Sequence, residues 1–225
     1  MKPETYKYYS RIYDLFTNDL LFPQNLQFTL KVLRLLSRND KVTDVGGGTA
    51  YYTSKLLTLF PRVELTFIEP SPEMMAIARA RLPAKTYFLQ ENFDEALPAL
   101  PEQDLFIFQR CLYSFYSSLE LYQQMARRLY EKTAPEGWLA IYEIGERYDI
   151  EQMTGFITKS KEALKISEAQ FQESLDLFIQ VLKKFNDAVD KKIFTLLPPE
   201  EIEAFFVSAG FSLLDRDNAS YFFKK

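Results

Sequence analysis

A carboxylate followed by three consecutive glycines is the feature of this sequence best suited to hold a ligand. Asp44 lies at the end of a short apolar run, and glycines occupy positions 46–48 before Thr49 and Ala50. Glycine permits positive φ angles and lets a ligand approach the backbone closely. Three consecutive glycines, in a chain that has only seven, therefore predict a binding loop rather than a tight turn alone.

The residues around the glycines argue against two common phosphate sites. A dinucleotide site with the pattern Gly-x-Gly-x-x-Gly would need a third glycine where Tyr51 stands, and the Gly-Lys-Ser or Gly-Lys-Thr of a P-loop is absent. Asp44 would also repel a pyrophosphate. A carboxylate here suits instead a ligand that carries positive charge, such as a sulfonium with an α-amino group.

A second acidic residue, Glu69, follows the next apolar run, residues 63–68. A carboxylate can accept hydrogen bonds from both hydroxyls of a ribose. Glu69 could instead be a charge at the start of a helix, since Ser71 and Glu73 have the pattern of a helix N-terminus. Because Glu69 occurs together with Asp44 and the glycines, we interpret it as part of the same binding site.

Segments in order along the chain resemble the motifs of class I S-adenosylmethionine-dependent methyltransferases, and the chain looks like a small-molecule member of that family. The first two are VTDVGGGTAYYTSKLL and FIEPSPEMMAIARARL. ENFDEALPALPEQDLFIFQRCLYSF looks like the family's adenine loop and fourth strand. APEGWLAIYE is similar to its proline-glycine turn and fifth strand, and EEIEAFFVSAGF to its last helix. The resemblance covers roughly residues 40–145 and 197–225.

The resemblance implies S-adenosyl-L-methionine as the cofactor and gives individual residues roles. It implies that Asp44 and the glycine loop hold the methionine part, and that Glu69 binds the ribose hydroxyls. Met74 and Phe93 would flank the adenine, and Asn92 would accept from its exocyclic amine. The cofactor-binding residues that it implies are Asp44, Gly46, Gly47, Gly48, Thr49, Glu69, Pro70, Met74, Asn92, Phe93, Gln109 and Tyr13.

Two positions depart from the family pattern. Ala50 stands where the family usually has a third glycine, and we expect it to narrow the cradle slightly. Asn92 stands where an acid is common, and its amide oxygen can still accept a hydrogen bond.

The sequence contains no histidine, so the commonest general base and the commonest metal ligand are both missing. We predict no metal site. Methyl transfer from a sulfonium is an in-line displacement that depends on alignment and on a closed pocket. A neutral amine needs no base before attack, whereas a hydroxyl does, so N-methylation is slightly favoured over O-methylation.

Weak candidates for a catalytic role are Arg110, Glu143 and Tyr9. By the resemblance, Gln109 and Arg110 follow the fourth strand and face the transferable methyl. Arg110 could anchor a substrate carboxylate bidentately. It could instead pair structurally with Glu143 or Glu69.

Carboxylates after the fifth strand and tyrosines near the N-terminus are open to two interpretations each. Glu143, Glu146 and Asp149 could be bases or ammonium anchors, or solvated loop residues. The N-terminal tyrosines could close over the cofactor, where ring faces attract a cation, or could pack a helix onto the sheet. These tyrosines are Tyr6, Tyr8, Tyr9 and Tyr13.

The elements that would position these residues alternate between strand and helix from Asp40 onward. Apolar runs predict strands at 42–45, 63–68, 87–89, 105–108 and 139–144, with helices at 51–59, 72–81 and 119–132. This alternation predicts an α/β fold with a Rossmann-like, seven-stranded, mostly parallel sheet and helices on both faces. A helical insertion, interpreted as a lid, follows the fifth strand.

We predict four parts of the chain. Residues 1–39 form an N-terminal helical cap, and residues 40–146 form the cofactor-binding α/β core. Residues 147–196 form the helical insertion or lid, with apolar positions at helical spacing. Residues 197–225 supply the last helix and two closing strands.

The composition of this 225-residue chain restricts the classes of partner and the compartment that we expect. A net charge of −4, with no Lys or Arg run longer than two, argues against nucleic acid. No apolar run suits a bilayer span, the N-terminus lacks a signal peptide's apolar stretch, and the single cysteine, Cys111, suits the cytoplasm. We therefore expect a cytoplasmic methyltransferase acting on a small molecule. The alternatives are an enzyme that cleaves or cyclises the aminobutyrate group of the cofactor, a protein or RNA methyltransferase, or a non-catalytic partner subunit.

Overall fold

A seven-stranded sheet is the centre of the structure, a computed structural model that describes residues 10, 12–16, 23–37, 40–116, 118–143, 145–217 and 219–225. The strands are β1 (Lys41–Val45), β2 (Glu64–Ile68), β3 (Tyr87–Leu89), β4 (Gln103–Gln109), β5 (Thr133–Tyr142), β6 (Ser212–Asp217) and β7 (Ser220–Lys224). Their order is β3-β2-β1-β4-β5-β7-β6, and only β7 runs antiparallel to its neighbours. The predicted mostly parallel sheet is confirmed.

Helices cover both faces of the sheet, as the sequence predicts. They are α1 (Pro23–Leu35), α2 (Tyr51–Leu59), α3 (Pro72–Arg81), α4 (Phe93–Ala96), α5 (Leu119–Lys132), α6 (Ile150–Lys159), α7 (Glu168–Asp190) and α8 (Pro199–Ser208). Along β4, Leu105 and Ile107 pack with the apolar residues of α1, α2 and α3. Phe106 and Phe108 pack on the opposite face with those of α4, α5 and α8. A strand buried on both faces has a continuous apolar run, which is why β4 is recognisable in the sequence.

The fifth strand is longer than predicted. It begins at Thr133 rather than at residue 139, and β4 begins at Gln103 rather than at residue 105. Gln103 pairs with Thr133 and Leu105 with Trp138, so β5 has an irregular stretch between the two pairs. The sequence of that stretch, Ala-Pro-Glu-Gly, has the composition of a turn and gives no strand signal.

The N-terminal helical segment packs against the insertion that follows β5. Residues 12–16 are helical, and Ile12 and Phe16 are buried in a cluster with residues of α6 and α7. The rings of Phe16 and Phe178 lie 5.0 Å apart. The insertion is two helices separated by a short turn, Lys161–Leu164. That the insertion acts as a lid, and that the chain divides at the predicted boundaries, stay predictions.

None of the helices in the described ranges is both long enough and apolar enough to cross a membrane.

Candidate active site

The glycine loop joins β1 to α2 at the carboxyl edge of the sheet. Gly46 and Gly48 have φ angles of +65° and +60°, which side chains rarely adopt. Gly47 is required for a different reason. A Cβ there would overlap both the Phe67 ring and the Asp44 carboxylate. No larger residue fits between the loop and β2 without displacing that carboxylate.

Ala50 directly precedes α2, and its narrowing of the cradle stays a prediction. It is fully buried and has a φ of 59° and a ψ of 25°, a left-handed conformation. A residue with a Cβ pays roughly 1–2 kcal/mol for this conformation. The main effect of replacing the family's glycine is therefore on the backbone.

Asp44 lies beneath the glycine loop and is buried. Its carboxylate accepts a hydrogen bond from the hydroxyl of Thr53, on the first turns of α2. Burial raises the pKa of Asp44 to about 6, although the hydrogen bond from Thr53 opposes the shift. The carboxylate would be favoured in its ionised form by a bound cation. Sequence reasoning missed Thr53, because a threonine within a helix carries no signal of its own.

Glu69 follows β2 and accepts hydrogen bonds from two backbone N–H groups. Gly48 donates to Oε2 at 3.0 Å, and Ser71 donates to Oε1 at 2.8 Å. Burial raises its pKa to about 7, while these two hydrogen bonds lower it and the nearby Asp44 raises it further. Both interpretations of Glu69 describe real contacts, since it contacts the glycine loop and also the residue that caps α3. Each oxygen retains lone pairs for a ligand hydroxyl.

A cavity of about 470 Å³, called here the first cavity, opens beside the glycine loop. It brings together four predicted residues, Gly46, Pro70, Asn92 and Phe93. The rings of Phe93 and Phe115 lie 5.8 Å apart and nearly parallel, which provides an aromatic wall. Its lining residues are Val45, Gly46, Ile68, Pro70, Asn92, Phe93, Asp94, Glu95, Ser114, Phe115 and Tyr116.

Asn92 begins α4 at the mouth of the first cavity. Its Nδ2 donates to the Glu95 side chain at 3.2 Å, and its amide oxygen accepts from the Glu95 backbone N–H in a capping box, so that oxygen keeps one lone pair for a ligand. Sequence reasoning missed Phe115 and Tyr116, which follow a short turn after β4. The signal that could have found them is aromatic richness directly after the fourth strand.

Met74 lies in the first turn of α3. Its side chain is buried with Met75 and Ala78 on the inner face of α3, and it is not among the described residues that line the first cavity. Its backbone N–H donates to Ser71. That Met74 and Phe93 flank an adenine therefore stays a prediction.

Gln109 ends β4, as predicted, at the carboxyl edge of the sheet. Its Nε2 atom is buried, and in the described part of the chain it has no hydrogen-bond partner. Buried polar groups nearly always have a partner, and an exception needs an explanation such as an absent ligand or water. The resemblance implies that Gln109 binds the cofactor, and a buried donor without a partner agrees with that role.

Arg110 follows Gln109 with a φ of 57°. Its guanidinium donates to the hydroxyl of Tyr148 at 2.7 Å, a contact that sequence reasoning missed. Tyr148 is held in turn by Asn186 of α7. The Tyr148 N–H donates to Asn186 Oδ1 at 3.0 Å, and Asn186 Nδ2 donates to the Tyr148 carbonyl at 2.8 Å. The insertion therefore positions a phenol beside Arg110.

A second cavity, of about 410 Å³, lies where β4 and β5 end. Its polar walls include Arg110, Glu143 and three tyrosines. Burial raises the pKa of each of those phenols, so they are neutral hydrogen-bonding groups rather than bases. The lining residues are Gln24, Arg110, Tyr142, Glu143, Gly145, Glu146, Tyr148, Leu197, Pro199, Ile202, Ala219 and Tyr221.

The three carboxylates after β5 have different surroundings. Glu143 is only 2% exposed and accepts from the Tyr113 N–H at 3.2 Å, so the interpretation of Glu143 as a solvated loop residue is wrong. Glu146 and Asp149 are exposed. Asp149 caps α6 by accepting from the Gln152 N–H at 2.9 Å. Glu143 is the one of the three that faces the second cavity from a buried position.

Tyr13 lies over the glycine loop. Its ring carbons are 3.8 Å from the position that a Cβ on Gly48 would occupy. Burial raises its pKa, and the charge of Arg110 opposes the shift, so its hydroxyl is a neutral group beside the glycine loop. Thr49 is fully buried and donates to Asp14 at 2.5 Å. The other N-terminal tyrosines, Tyr6, Tyr8 and Tyr9, lie outside the described residues.

Within the described ranges, no group of three or more His, Cys, Asp and Glu side chains is arranged to hold a metal ion.

Residues 43–139, which contain the glycine loop, strands β2 to β4 and most of β5, match a family model described as a methyltransferase domain. The sheet order β3-β2-β1-β4-β5-β7-β6, with β7 antiparallel, agrees with that match. Over residues 43–139 the chain carries a methyltransferase domain.

A curated methyltransferase is similar in sequence to part of this chain. The chloroplastic 2-methyl-6-phytyl-1,4-hydroquinone methyltransferase of Spinacia oleracea is 31% identical over 94 residues, which are 41% of this chain and 27% of that protein. This chain therefore matches only about a quarter of the length of that curated relative.

Two solved structures share the fold of the methyltransferase domain. Human N-acetylserotonin methyltransferase, in complex with S-adenosylmethionine, superposes with a TM-score of 0.53 at 18% identity, covering 94% of this chain and 57% of that one. The N-methyltransferase NodS from Bradyrhizobium japonicum superposes with a TM-score of 0.55 at 12% identity, covering 90% and 97%.

The residues of the methyltransferase domain fit the family's cofactor. Asp44 and Glu69 are buried carboxylates whose ionised forms need cationic or hydroxyl-bearing partners, and S-adenosylmethionine has both. The first cavity offers an aromatic wall and an amide for a base. Gln109 contributes a buried donor that a ligand oxygen or nitrogen could satisfy.

Proposed function

We propose that the protein transfers the methyl group of S-adenosylmethionine to a small-molecule amine bound in the second cavity. The observation that carries this proposal is the glycine loop held against two buried carboxylates, Asp44 and Glu69, with one cavity beside the loop and a second where β4 and β5 end. Ligands of open α/β sheets bind at this edge.

In this proposal Glu69 binds the ribose hydroxyls, and Asp44 with the glycine loop holds the methionine part. Asn92 and Phe93 contact the adenine in the first cavity. When bound, the cofactor supplies an electrophilic methyl group on a sulfonium. The remaining contribution of the protein is to align donor and acceptor and to exclude water from the space between them.

The second cavity suits an amine acceptor. Tyr142, Tyr148 and Tyr221 line it with neutral phenols, and Glu143 adds a buried carboxylate that can accept a hydrogen bond from an acceptor nitrogen. A neutral amine attacks without a base. The new N–C bond forms as the S–C bond breaks, the electron pair passes to sulfur, and the product ammonium then loses its proton to Glu143 or to water.

An O-methylation that needs proton removal is less well supported. The chain has no histidine, and burial keeps the cavity phenols protonated. Carboxylates are then the available bases among the described residues that line the second cavity.

The proposed setting is the cytoplasm, and the proposed partner is a small molecule rather than a nucleic acid. The single cysteine, Cys111, is buried as a free thiol, which suits a reducing compartment. The net charge of −4 provides no general attraction for nucleic acid.

Isothermal titration calorimetry with S-adenosylhomocysteine tests the cofactor assignment, and the absence of binding would overturn it. Incubation with labelled S-adenosylmethionine and a panel of small primary and secondary amines tests the chemistry. Release of S-adenosylhomocysteine supports methyl transfer, whereas release of methylthioadenosine would show that the aminobutyrate group is transferred instead.

Replacing Glu143 tests the acceptor assignment. We expect Glu143→Gln to reduce kcat/KM for the amine by about tenfold or more, because an interaction with the acceptor nitrogen is lost. S-adenosylhomocysteine affinity should stay within about twofold. Glu151→Gln, at an exposed position of α6 outside the cavity lining, is the matched control. Equal amine kinetics for the two variants would contradict the role of Glu143.

A further inference from the structure

A polar network joins the N-terminal helical segment to the glycine loop and to the end of α3. Asp14 accepts through both carboxylate oxygens, from the Thr49 hydroxyl at 2.5 Å and from the Arg81 guanidinium at 2.5 Å. Arg81 also donates to the Thr49 backbone carbonyl at 2.8 Å and to the Thr49 hydroxyl at 3.2 Å. One guanidinium therefore bridges two segments that are distant from it in sequence.

This network adjoins the ring of Tyr13. Tyr13 directly precedes Asp14, and its ring covers Gly48, 3.8 Å from the point where a Cβ on that glycine would lie. Thr49 directly follows Gly48, so the hydrogen bond between Asp14 and Thr49 adjoins the contact between Tyr13 and Gly48. A displacement of Asp14 from Thr49 would separate the ring from the loop.

We propose that Arg81 is a positioning residue for the cofactor site, which fixes Tyr13 over the glycine loop by bridging Asp14 and Thr49. The proposal rests on the proposed function, in which this loop binds S-adenosylmethionine. Arg81 is not among the described residues that line the first or second cavity, so its effect passes through the two residues that it bridges.

The geometry requires an arginine rather than any cation. The side chains of Arg81 and Asp14 are 28% and 31% exposed, and a simple ion pair at that exposure stabilises a protein little. Arg81 instead uses one nitrogen for Thr49 and another for Asp14, a forked arrangement that a lysine ammonium cannot reproduce. Holding the segment in place in advance lowers the ordering cost of binding the cofactor.

The test compares two arginines of the same helix. Arg81→Gln removes the bridge, whereas Arg79→Gln removes an equal charge whose guanidinium lies over the Phe88 ring at 4.5 Å. We expect calorimetry to show that Arg81→Gln weakens S-adenosylhomocysteine binding by about tenfold, and that Arg79→Gln changes it by less than about twofold. Arg81→Lys should bind S-adenosylhomocysteine as weakly as Arg81→Gln, because a lysine keeps the charge but cannot bridge Asp14 and Thr49.

A second readout is independent of activity. In the free protein, hydrogen exchange of residues 12–16 should accelerate in Arg81→Gln and stay unchanged in Arg79→Gln. At saturating substrates kcat should change less than the KM for S-adenosylmethionine. If Arg81→Gln does not fold, Thr49→Val removes only the hydroxyl and should weaken S-adenosylhomocysteine binding by about threefold.

The outcomes separate the two proposals. An unmodified protein that does not bind S-adenosylhomocysteine would overturn the proposed function and the positioning role together. An unmodified protein that binds, with Arg81→Gln and Arg79→Gln alike in affinity and exchange, would overturn the positioning role alone.

Discussion

Asp44 and Glu69 share a buried place at the carboxyl edge of the sheet, and each carboxyl ionises less readily than it would in water. Their pKa values are about 6 and about 7, above their ordinary values of 3.8 and 4.5. A ligand with an ammonium group and hydroxyl donors selects the ionised forms, so binding should release protons near pH 6.5. Affinity for S-adenosylhomocysteine should rise about tenfold from pH 6 to pH 8.

Calorimetry in two buffers of different ionisation enthalpy measures this proton release. Glu69→Gln should bind S-adenosylhomocysteine more weakly and with a flatter pH profile.

The stability of the free protein should change with pH in the opposite direction, falling as the pH rises. A carboxyl whose pKa is raised by folding contributes stability below its unfolded pKa, and that contribution is lost as the pH rises through its folded pKa. The melting temperature should fall from pH 5 to pH 8, and a flat binding profile would refute the role of Glu69.

Ala50 offers a second prediction at the scale of one residue. Ala50→Gly relieves the left-handed conformation, and the gain exceeds the added entropy of the unfolded chain, so the free energy of unfolding should rise by up to about 1 kcal/mol. Ala76→Gly, at an exposed position within α3, is the control and should lower it by about 0.5–1 kcal/mol. Urea denaturation measures both, and equal losses would show that Ala50 bears no backbone strain.

Individual site residues are predictable only where they adjoin a recognisable strand. Asp44 and Glu69 stand beside apolar runs, and a strand end in this fold faces the ligand edge. Tyr148 and Asn186 could not be predicted, because their contact spans 38 residues and neither lies in a motif. A place for Met74 beside the adenine stays a prediction, because a motif position alone does not say which face of α3 the side chain occupies.

At the scale of elements, helix α7 supports the second cavity through one buried amide. Asn186→Ala would leave both the N–H and the carbonyl of Tyr148 without their partner and should lower the free energy of unfolding by about 1–3 kcal/mol. The KM for the amine acceptor should rise as Tyr148 loses its position beside Arg110. S-adenosylhomocysteine affinity should change little.

The control for this prediction is Asp187→Ala, at the next position of α7, which faces solvent and pairs with Lys191. It should leave both stability and the KM for the acceptor nearly unchanged. If Asn186→Ala raised the Kd for S-adenosylhomocysteine as strongly as the acceptor KM, α7 would be a support for the whole site rather than for the acceptor side.

Elements are predictable where burial gives a strand one clear pattern. β1, β3 and the helices α2, α3 and α5 occupy nearly the predicted residues, because apolar runs and helical spacing report burial directly. The start of β5 could not be predicted, since its Ala-Pro-Glu-Gly stretch is paired through distant backbone groups and not through its side chains. The turn inside the insertion, Lys161–Leu164, could not be predicted either, because the apolar spacing of the insertion continues through it.

At the scale of the whole molecule, the N-terminal segment and the insertion form one apolar cluster. Phe16 is fully buried against α7, so Phe16→Ala should lower the free energy of unfolding by about 3 kcal/mol or more and accelerate hydrogen exchange in α6 and α7. Phe156→Ala, at a position 43% exposed, is the control and should have little effect. Unchanged exchange in both helices would show that the two parts are energetically independent.

The same cluster constrains the order in which a nascent chain can complete its site. Ile12 and Phe16 meet Ile157 and Phe178 only after about 140 further residues have been synthesised, so these contacts have a large sequence separation. Tyr13 lies between Ile12 and Phe16 and therefore depends on the same late contacts for its place over Gly48. During synthesis the glycine loop can fold with its neighbouring strands early, whereas its cover assembles only when the insertion has emerged.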